Sequence, residues 1–225
     1  MKPFTTLTAV AAPLDLANVD TDKVIPARLL RKPRSGNGKA GYAPYLFYDM
    51  RFGADGRERA EFMLNQPAYR NAGILVAGAN FGCGSSREGA VYALMDYGIR
   101  SVIAPSFGDI HYANEIQNGM LPVILPDAIC ASLRDQLRAR PGAQLTIDLA
   151  AQTVTDAVGA VHLFTIDAMY KERLLKGLDE VGLVLQHLPE IEAYEKRRAA
   201  ERPWLPFGSR FRPVNETEGN QGFPP

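Results

Sequence analysis

A glycine-rich stretch near the middle of the chain carries the side chains best suited to chemistry. It reads Phe81-Gly82-Cys83-Gly84-Ser85-Ser86-Arg87-Glu88. Two hydroxyl groups and one guanidinium group fall on three consecutive residues, Ser85, Ser86 and Arg87. The planar fork of arginine suits a carboxylate or phosphate group that accepts two parallel hydrogen bonds. The stretch is therefore predicted to bind an anion.

The flanking sequence predicts a strand before this stretch and a helix after it. Residues 73–78 form a short apolar run between glycines, which is typical of a buried strand. Apolar residues at helical spacing follow from Ala90 to Tyr97, and Gly98 suits a C-terminal cap. Ser85 and Glu88 fit a capping box, so Ser85 is predicted to be the N-cap. The free N–H groups and positive dipole end of the helix would then face the anion.

An ordinary serine-capped turn is an equally good reading of the spacing alone, because such caps are common in α/β proteins. Familiar catalytic and phosphate-binding motifs do not match. The third glycine of a dinucleotide fingerprint is replaced by Arg87, and no Gly-Lys-Ser/Thr of a P-loop follows. A Gly-x-Ser-x-Gly nucleophile elbow is also missing. Local spacing thus leaves a binding site and a structural turn both open.

Apolar periodicity predicts a single α/β domain with a mostly parallel central sheet, flanking helices and some antiparallel strands. Strands and helices alternate through the centre of the chain, which is typical of βαβ units. Strands are predicted at 4–10, 73–78, 99–104, 120–125, 144–149, 153–155 and 161–166. Helices are predicted at 90–97, 106–118, 127–140, 167–177, 180–188 and 190–202. Residues 1–202 form the predicted domain. Residues 203–225, with five prolines and three glycines, are predicted to form an irregular tail that wraps the domain or a partner.

The composition disfavours several classes of function. Twenty-five basic residues balance 25 acidic residues, so no positive field favours nucleic acid or an anionic membrane. The sequence shows no membrane-spanning apolar run and no secretory signal, which predicts a cytoplasmic protein. Two cysteines exclude a disulfide framework, and Cys130 is predicted to be a core thiol. The three histidines are scattered and are interpreted as structural or solvated, with His111 the most interesting because it follows a strand end.

Several motifs in order resemble the small subunit of 3-isopropylmalate dehydratase, in the aconitase superfamily. The central stretch is followed by Asp96-Tyr97-Gly98-Ile99-Arg100 and Ile103-Ala104-Pro105-Ser106-Phe107, and is preceded by Asn18-Val19-Asp20-Thr21-Asp22. Phe164-Thr165-Ile166-Asp167 and Gly177-Leu178-Asp179 continue the similarity, which covers roughly residues 5 to 198. The resemblance implies the swivelling β/β/α domain of the aconitase C-terminal type and a hydro-lyase that dehydrates a hydroxy acid and rehydrates the alkene the other way round.

The resemblance also implies roles for individual residues. Ser85 corresponds to the serine base, and Ser86 and Arg87 correspond to groups that hold a substrate carboxylate. Thr21 and Asp22 match a pair near the substrate, where Asp22 would orient donors; read alone, residues 18–22 form an Asx-type turn, and no metal site is predicted there. The segment Arg28-Leu29-Leu30 would form the substrate-specificity loop, with the leucines suited to an isopropyl group. Solvated surface charges are an equally good interpretation of Arg28 and Arg31.

The cofactor and partner follow from the same resemblance. An iron–sulfur cluster takes about four thiolate ligands, or three with one iron left open, and this chain has two cysteines. A 4Fe–4S cluster is therefore expected on a separate large subunit, with none bound by this chain. An open iron of that cluster would act as a Lewis acid on the leaving hydroxyl group of a small dicarboxylate substrate.

Some residues depart from the family pattern. Gly89 stands where the family usually has histidine, and residues 108–112 and 171–176 also differ from the commonest leucine-pathway sequences. A paralogue that acts on a smaller dicarboxylate, such as citraconate or dimethylmaleate, is therefore an alternative. A stand-alone anion- or nucleotide-binding module, an RNA-binding regulator and a purely structural partner are further alternatives from other classes.

Overall fold

The computed structural model describes residues 1–31, 34, 41–85 and 87–205. The chain divides into two compact units, Met1–Glu180 and a second that begins at Val181. The strands are β1 (Thr6–Pro13), β2 (Ile74–Val76), β3 (Ser101–Ala104), β4 (Leu121–Ile124), β5 (Gln144–Asp148), β6 (Thr153–Thr155) and β7 (Val161–Leu163). The helices are α1 (Thr21–Val24), α2 (Tyr48–Arg51), α3 (Glu88–Tyr97), α4 (Asp109–Gln117), α5 (Asp127–Ala139), α6 (Ala168–Lys176), α7 (Glu180–Leu185) and α8 (Leu188–Glu201).

The seven strands form one mixed sheet in the order β4-β3-β2-β1-β5-β6-β7. Strands β1 to β4 are parallel to one another, β5 pairs antiparallel with β1, and β6 and β7 continue the sheet in antiparallel pairs. The long strand β1 joins the two parts, because Val10 and the residues before it pair with β5 whereas Ala11–Pro13 pair with β2. The predicted α/β class, with a parallel region and some antiparallel strands, is confirmed.

Two apolar clusters cover the two faces of the parallel region. Alternate residues of a strand point to opposite faces, so Leu75 belongs to one cluster whereas Ile74 and Val76 belong to the other. Helix α3 packs on the first face through buried residues such as Val91 and Leu94. Helix α5 packs on the second face through residues that include Cys130, so the predicted core thiol is confirmed. Burial raises the pKa of the Cys130 thiol to about 11.

The carboxyl ends of β1, β2 and β3 lie at one edge of the sheet and lead into three loops. These loops are residues 14–20, 77–87 and 105–108. Ligands of open α/β sheets commonly bind at this edge, where successive loops converge. The loop that follows β2 carries Ser85 and Arg87, and Thr21 and Asp22 come directly after the loop that follows β1.

Three predictions fall on residues outside the described ranges. Ser86 is one of them, and most of the glycine-rich loop between Arg31 and Gly41, which the sequence predicts to be mobile, is another. The C-terminal tail from residue 206 onward is the third, and the domain boundary after residue 202 stays a prediction. In the part of the chain that the structure covers, no helix has the length and apolar character needed to cross a membrane.

Candidate functional site

The glycine-rich turn after β2 is held between the loops that follow β1 and β3. On one side, Gly82 N donates to the Val19 carbonyl at 2.7 Å, and Thr21 N donates to the Cys83 carbonyl at 3.2 Å. On the other side, the backbone of Phe81 pairs with the segment around Phe107 through bonds of 3.0 and 2.8 Å. Backbone bonds on both sides fix the path of the turn.

Two glycines allow this path. Gly82 and Gly84 have φ angles of +71° and +87°, in the left-handed region that favours glycine. A Cβ atom at Gly82 would overlap the ring of His111, which packs edge-to-face on Phe81 at a centroid distance of 5.4 Å. The turn therefore needs glycine at residue 82 for its backbone angle and for its close approach to α4.

Ser85 lies at the exposed end of the turn, where its backbone is restrained. Its carbonyl oxygen accepts a hydrogen bond from Thr21 Oγ1 at 3.1 Å and another from Arg87 N at 2.9 Å. Thr21 is buried, with 1% of its surface exposed, so the donor has a fixed position. The Ser85 side chain is thereby presented on a rigid support, beside the residue that precedes α3.

Arg87 pairs with Asp22 across the site. The guanidinium Nη1 donates to Asp22 Oδ1, and the same oxygen accepts from Ala27 N at 3.0 Å. The hydrogen bond from Arg87 is the main cause that lowers the pKa of the Asp22 carboxyl group below its ordinary value. Four of the residues predicted for the site, Thr21, Asp22, Ser85 and Arg87, are thus brought together although 65 positions separate Asp22 from Arg87.

The capping-box prediction is wrong. Helix α3 begins at Glu88, with Arg87 rather than Ser85 at the N-cap and with no capping hydrogen bond from a side chain. The Glu88 carboxylate does not close a box with Ser85, because it accepts from Asn118 Nδ2 at the end of α4 at 2.8 Å. The N-terminal end of α3, which favours anions, therefore lies at Arg87. Ser85 lies two residues before it.

The predicted specificity loop contains a short 3-10 helix, Ala27–Leu29, and its side chains diverge. Arg28 is exposed and makes a two-pronged ion pair with Asp49. Leu29 and Leu30 are partly buried and pack against the apolar cluster that contains α3. The bond from Ala27 N to Asp22 connects the start of this loop to the Arg87 ion pair. Arg28 is therefore occupied by Asp49, and the two leucines form the apolar part of the loop.

Sequence reasoning missed a buried ionisable pair beneath the turn. His111 Nε2 lies 3.0 Å from Glu115 Oε1, and the two side chains are 1% and 0% exposed. Their geometry is not that of an aligned hydrogen bond, and among the described residues none of their four polar side-chain atoms has one. Burial raises the pKa of Glu115 above its ordinary value, with His111 opposing the shift. The helical spacing of His111 and Glu115 was the available signal.

The described residues do not fit an iron–sulfur cluster. No three His, Cys, Asp or Glu side chains in those ranges are grouped as a metal site. Cys83 is free and partly exposed, and Cys130 is free and buried in the core.

Comparison with known families agrees with the fold. Residues 1–128 match the family model of the aconitase C-terminal domain. Residues 131–168 match a model described as LeuD_N, and residues 180–207 match the C-terminal domain of the small subunits of 3-isopropylmalate dehydratase. The chain is thus an aconitase-type C-terminal domain followed by segments specific to one branch of that superfamily.

Individual relatives define the branch. The chain is 52% identical over 206 residues to the 3-isopropylmalate dehydratase small subunit of Phenylobacterium zucineum, covering 91% of this chain and 98% of the relative. It is 48% identical to the small subunit of Cereibacter sphaeroides, covering 91% and 100%. A crystal structure of 3-isopropylmalate dehydratase from Methanocaldococcus jannaschii is similar, with a TM-score of 0.59 and 26% identity over 84% of this chain and 99% of that one. The chain belongs to the family of 3-isopropylmalate dehydratase small subunits.

Proposed function

We propose that this chain is the small subunit of a heteromeric hydro-lyase that interconverts 2-isopropylmalate and 3-isopropylmalate through 2-isopropylmaleate, in the leucine pathway. The proposal rests on family membership and on one structural observation. That observation is the cluster of Thr21, Asp22, Ser85 and Arg87 at the carboxyl edge of the parallel strands. The cluster combines a hydroxyl group on a rigid turn with a guanidinium group suited to a carboxylate.

Ser85 is proposed as the base. Its Oγ would take the proton from the carbon beside a substrate carboxylate, while the electron pair of that C–H bond forms the alkene and the hydroxyl group leaves the neighbouring carbon. A serine hydroxyl is a weak base in water, so nearby positive charge is required to stabilise its alkoxide. Arg87, two residues away, and the positive end of α3 supply that charge.

Arg87 is proposed to hold the substrate carboxylate. Negative charge develops beside this carboxylate when the proton leaves, so a fixed guanidinium stabilises the transition state more than the ground state. Asp22 holds one nitrogen of the guanidinium and sets the direction of the rest. Thr21 supports the Ser85 carbonyl, so it acts on the position of the base and not on the substrate.

The partner in this proposal is the isopropylmalate dehydratase large subunit. It would carry the 4Fe–4S cluster, which supplies a Lewis acid for the departing hydroxyl group. The complex is proposed to work in the cytoplasm, in keeping with a biosynthetic role. The substrate contacts supplied by this chain are those of Ser85, Arg87 and the loop of residues 28–30.

Anaerobic reconstitution with the cluster-loaded large subunit tests the proposal. Alkene formation from 2-isopropylmalate and from 2-methylmalate is followed for wild type and for Ser85→Ala. We expect turnover of 2-isopropylmalate to require both chains. Loss of a general base lowers kcat by about 10²- to 10⁴-fold, and the complex should still form because Ser85 is exposed.

Ser101→Ala is the matched control. Ser101 is buried at the opposite end of β3, where its hydroxyl donates to the Leu121 carbonyl at 2.6 Å. Its loss costs about 1 kcal/mol of stability and leaves the site intact. Wild type that turns over only the smaller acid would assign the chain to the paralogue that acts on a smaller dicarboxylate. A fully active Ser85→Ala complex would refute the role of Ser85.

A further inference from the structure

Gly89 lies in the first turn of α3, two residues after Arg87, and has no conformational need for glycine. It is the second residue of the helix and its φ is not positive, so its backbone angles are open to any residue. Glycine is disfavoured in helices relative to alanine because it loses more backbone freedom on folding. A glycine at this place therefore requires another explanation, and the space around it supplies one.

The missing side chain of Gly89 makes room for Leu30. A Cβ atom at residue 89 would lie 2.5 Å from Leu30 Cδ2 and 3.4 Å from Leu30 Cδ1. Carbon atoms pack at about 3.5–4.0 Å, so the leucine side chain could not keep its position beside even an alanine. Leu30 thus lies directly on the first turn of α3 only because residue 89 is glycine.

The loop that carries Leu30 is held at both ends, and its start is bonded to a residue of the site. At its start, Ala27 N donates to the Asp22 carboxylate that pairs with Arg87. At its end, the Leu30 carbonyl accepts from Tyr42 Oη at 3.3 Å. Because the backbone of the loop is held in this way, an added Cβ atom at residue 89 would mainly change the rotamer of the Leu30 side chain.

We propose that Gly89 is a specificity-determining residue that acts by positioning Leu30 as the apolar wall of the substrate site. This inference rests on the proposed function, because it takes Arg87 as the group that binds the carboxylate. In 3-isopropylmalate the carbon that loses the proton bears both the branched alkyl group and the carboxylate that is proposed to bind Arg87. A carboxylate on Arg87 therefore brings the alkyl group toward the first turn of α3, where Leu30 lies.

The test compares Gly89→Ala with wild type in the reconstituted complex, using 3-isopropylmalate and 3-methylmalate as substrates. The added methyl group turns Leu30 away from α3 and into the space for the alkyl group, so the larger substrate is affected more. One methylene group in an apolar pocket changes kcat/KM by about 10- to 200-fold. We expect the ratio of kcat/KM for the isopropyl acid over the methyl acid to fall by about 5-fold or more.

A double-mutant cycle with Leu30→Ala shows whether Gly89 acts through Leu30. In the Leu30→Ala background, Gly89→Ala should leave the ratio unchanged, because no leucine side chain remains to be displaced. An equal fall in both backgrounds, or an unchanged ratio in Gly89→Ala alone, would overturn the inference and leave the proposed function standing. A wild-type complex that turns over neither acid would instead overturn the proposed function, and this inference with it.

Discussion

Arg87 has a carboxylate partner within the chain, Asp22. The strength of this ion pair determines how freely the Arg87 guanidinium can bind another carboxylate. Asp22 keeps 56% of its side chain exposed and Arg87 keeps 30%, so the ion pair is well hydrated. Pairs of this kind contribute about 0–1 kcal/mol to folding. In the proposed function, Arg87 can therefore bind a substrate carboxylate at little cost to folding, while Asp22 directs the guanidinium and anchors the loop that begins at Ala27.

Glu115 is the residue whose charge should make stability depend on pH. Burial raises its pKa, so the folded chain keeps a proton that the unfolded chain releases above the ordinary value of 4.5. The unfolded state then binds fewer protons, and stability falls as pH rises from that value. Glu115→Gln keeps the size and cannot ionise, so wild type should lose stability relative to this variant between about pH 5 and pH 8. Urea unfolding at several pH values measures the difference.

The pH dependence of this stability difference shows whether the pKa of Glu115 is raised in the folded chain. His111, on the same helix, faces the Glu115 carboxylate, and Tyr112 lies beside it. If Glu115 had its ordinary pKa in the folded chain, its carboxyl group would bind the same number of protons before and after unfolding, and it would contribute no pH-dependent difference between wild type and variant. A constant difference would therefore contradict the raised pKa.

At the scale of elements, apolar pattern was sufficient for the parallel region. Strands β2, β3 and β4 are short runs of consecutive apolar residues, as expected for strands buried on both faces. Their connecting helices were also predicted, and α4 ends at Gln117, one residue before the predicted end at residue 118. A strand covered on both sides leaves a strong signal in the sequence because nearly every residue must be apolar.

The beginnings of the helices were less predictable. Ser85 and Ser106 were both expected to start helices, and both lie in loops three residues before the helix begins. The Ser106 hydroxyl accepts from Asn80 N at 2.9 Å instead of capping α4. Polar groups that a local pattern would assign to helix caps instead make hydrogen bonds between loops. Such bonds depend on the order of the strands in the sheet.

The site was predictable as separate segments only. The residue types of Ser85, Arg87 and Asp22 indicated their chemistry, but the pairing of the last two depends on β1 and β2 being neighbours. The glycine at residue 89 is unusual inside a helix and is visible in the sequence. The sequence does not show, however, that Leu30 fills the space beside it. Packing of distant residues is the part that one sequence does not encode locally.

Gly82 provides a test of the turn as an element. A residue other than glycine costs about 1–2 kcal/mol in the left-handed region, and overpacking costs about 1–3 kcal/mol more. Gly82→Ala meets both penalties because the added Cβ overlaps the His111 ring. Gly56→Ala is the control, since Gly56 has a similar φ of +75° and no atom within 4 Å of the added Cβ.

We expect Gly82→Ala to lower the free energy of unfolding by about 1–3 kcal/mol more than Gly56→Ala does, as measured by urea unfolding. The difference isolates the close approach of the turn to α4, because the strain of the backbone angle is common to both variants. Equal losses in the two variants would show that His111 moves aside at no cost and does not support the turn.

At the scale of the whole molecule, this chain supplies one side of a proposed shared site. It has two cysteines, and they differ in environment, one lying in the turn and one in the core. Its contribution is the set of polar groups at the carboxyl edge of the sheet. In the proposed function the metal chemistry lies on the partner, which agrees with the small number of cysteines in this chain.

The length of the chain leads to the last prediction. The C-terminal family model ends at residue 207, and the aligned relatives correspond to 91% of this chain and to 98–100% of their own length. Residues 208–225 contain three large apolar side chains, Phe211, Val214 and Phe223. So few apolar groups bury little surface, and we expect their contribution to folding to be small.

Deletion of residues 208–225 should therefore leave kcat and KM of the reconstituted complex within about twofold of wild type, as for changes worth at most about 0.5 kcal/mol. Deletion from residue 181 onward is the comparison, because it also removes α8 and the segment matched by the small-subunit model. Assembly measured by sedimentation, together with turnover, distinguishes the two deletions. Loss of assembly in the shorter deletion would show that the final residues bind the partner, since they carry too little apolar surface to act through the stability of the fold.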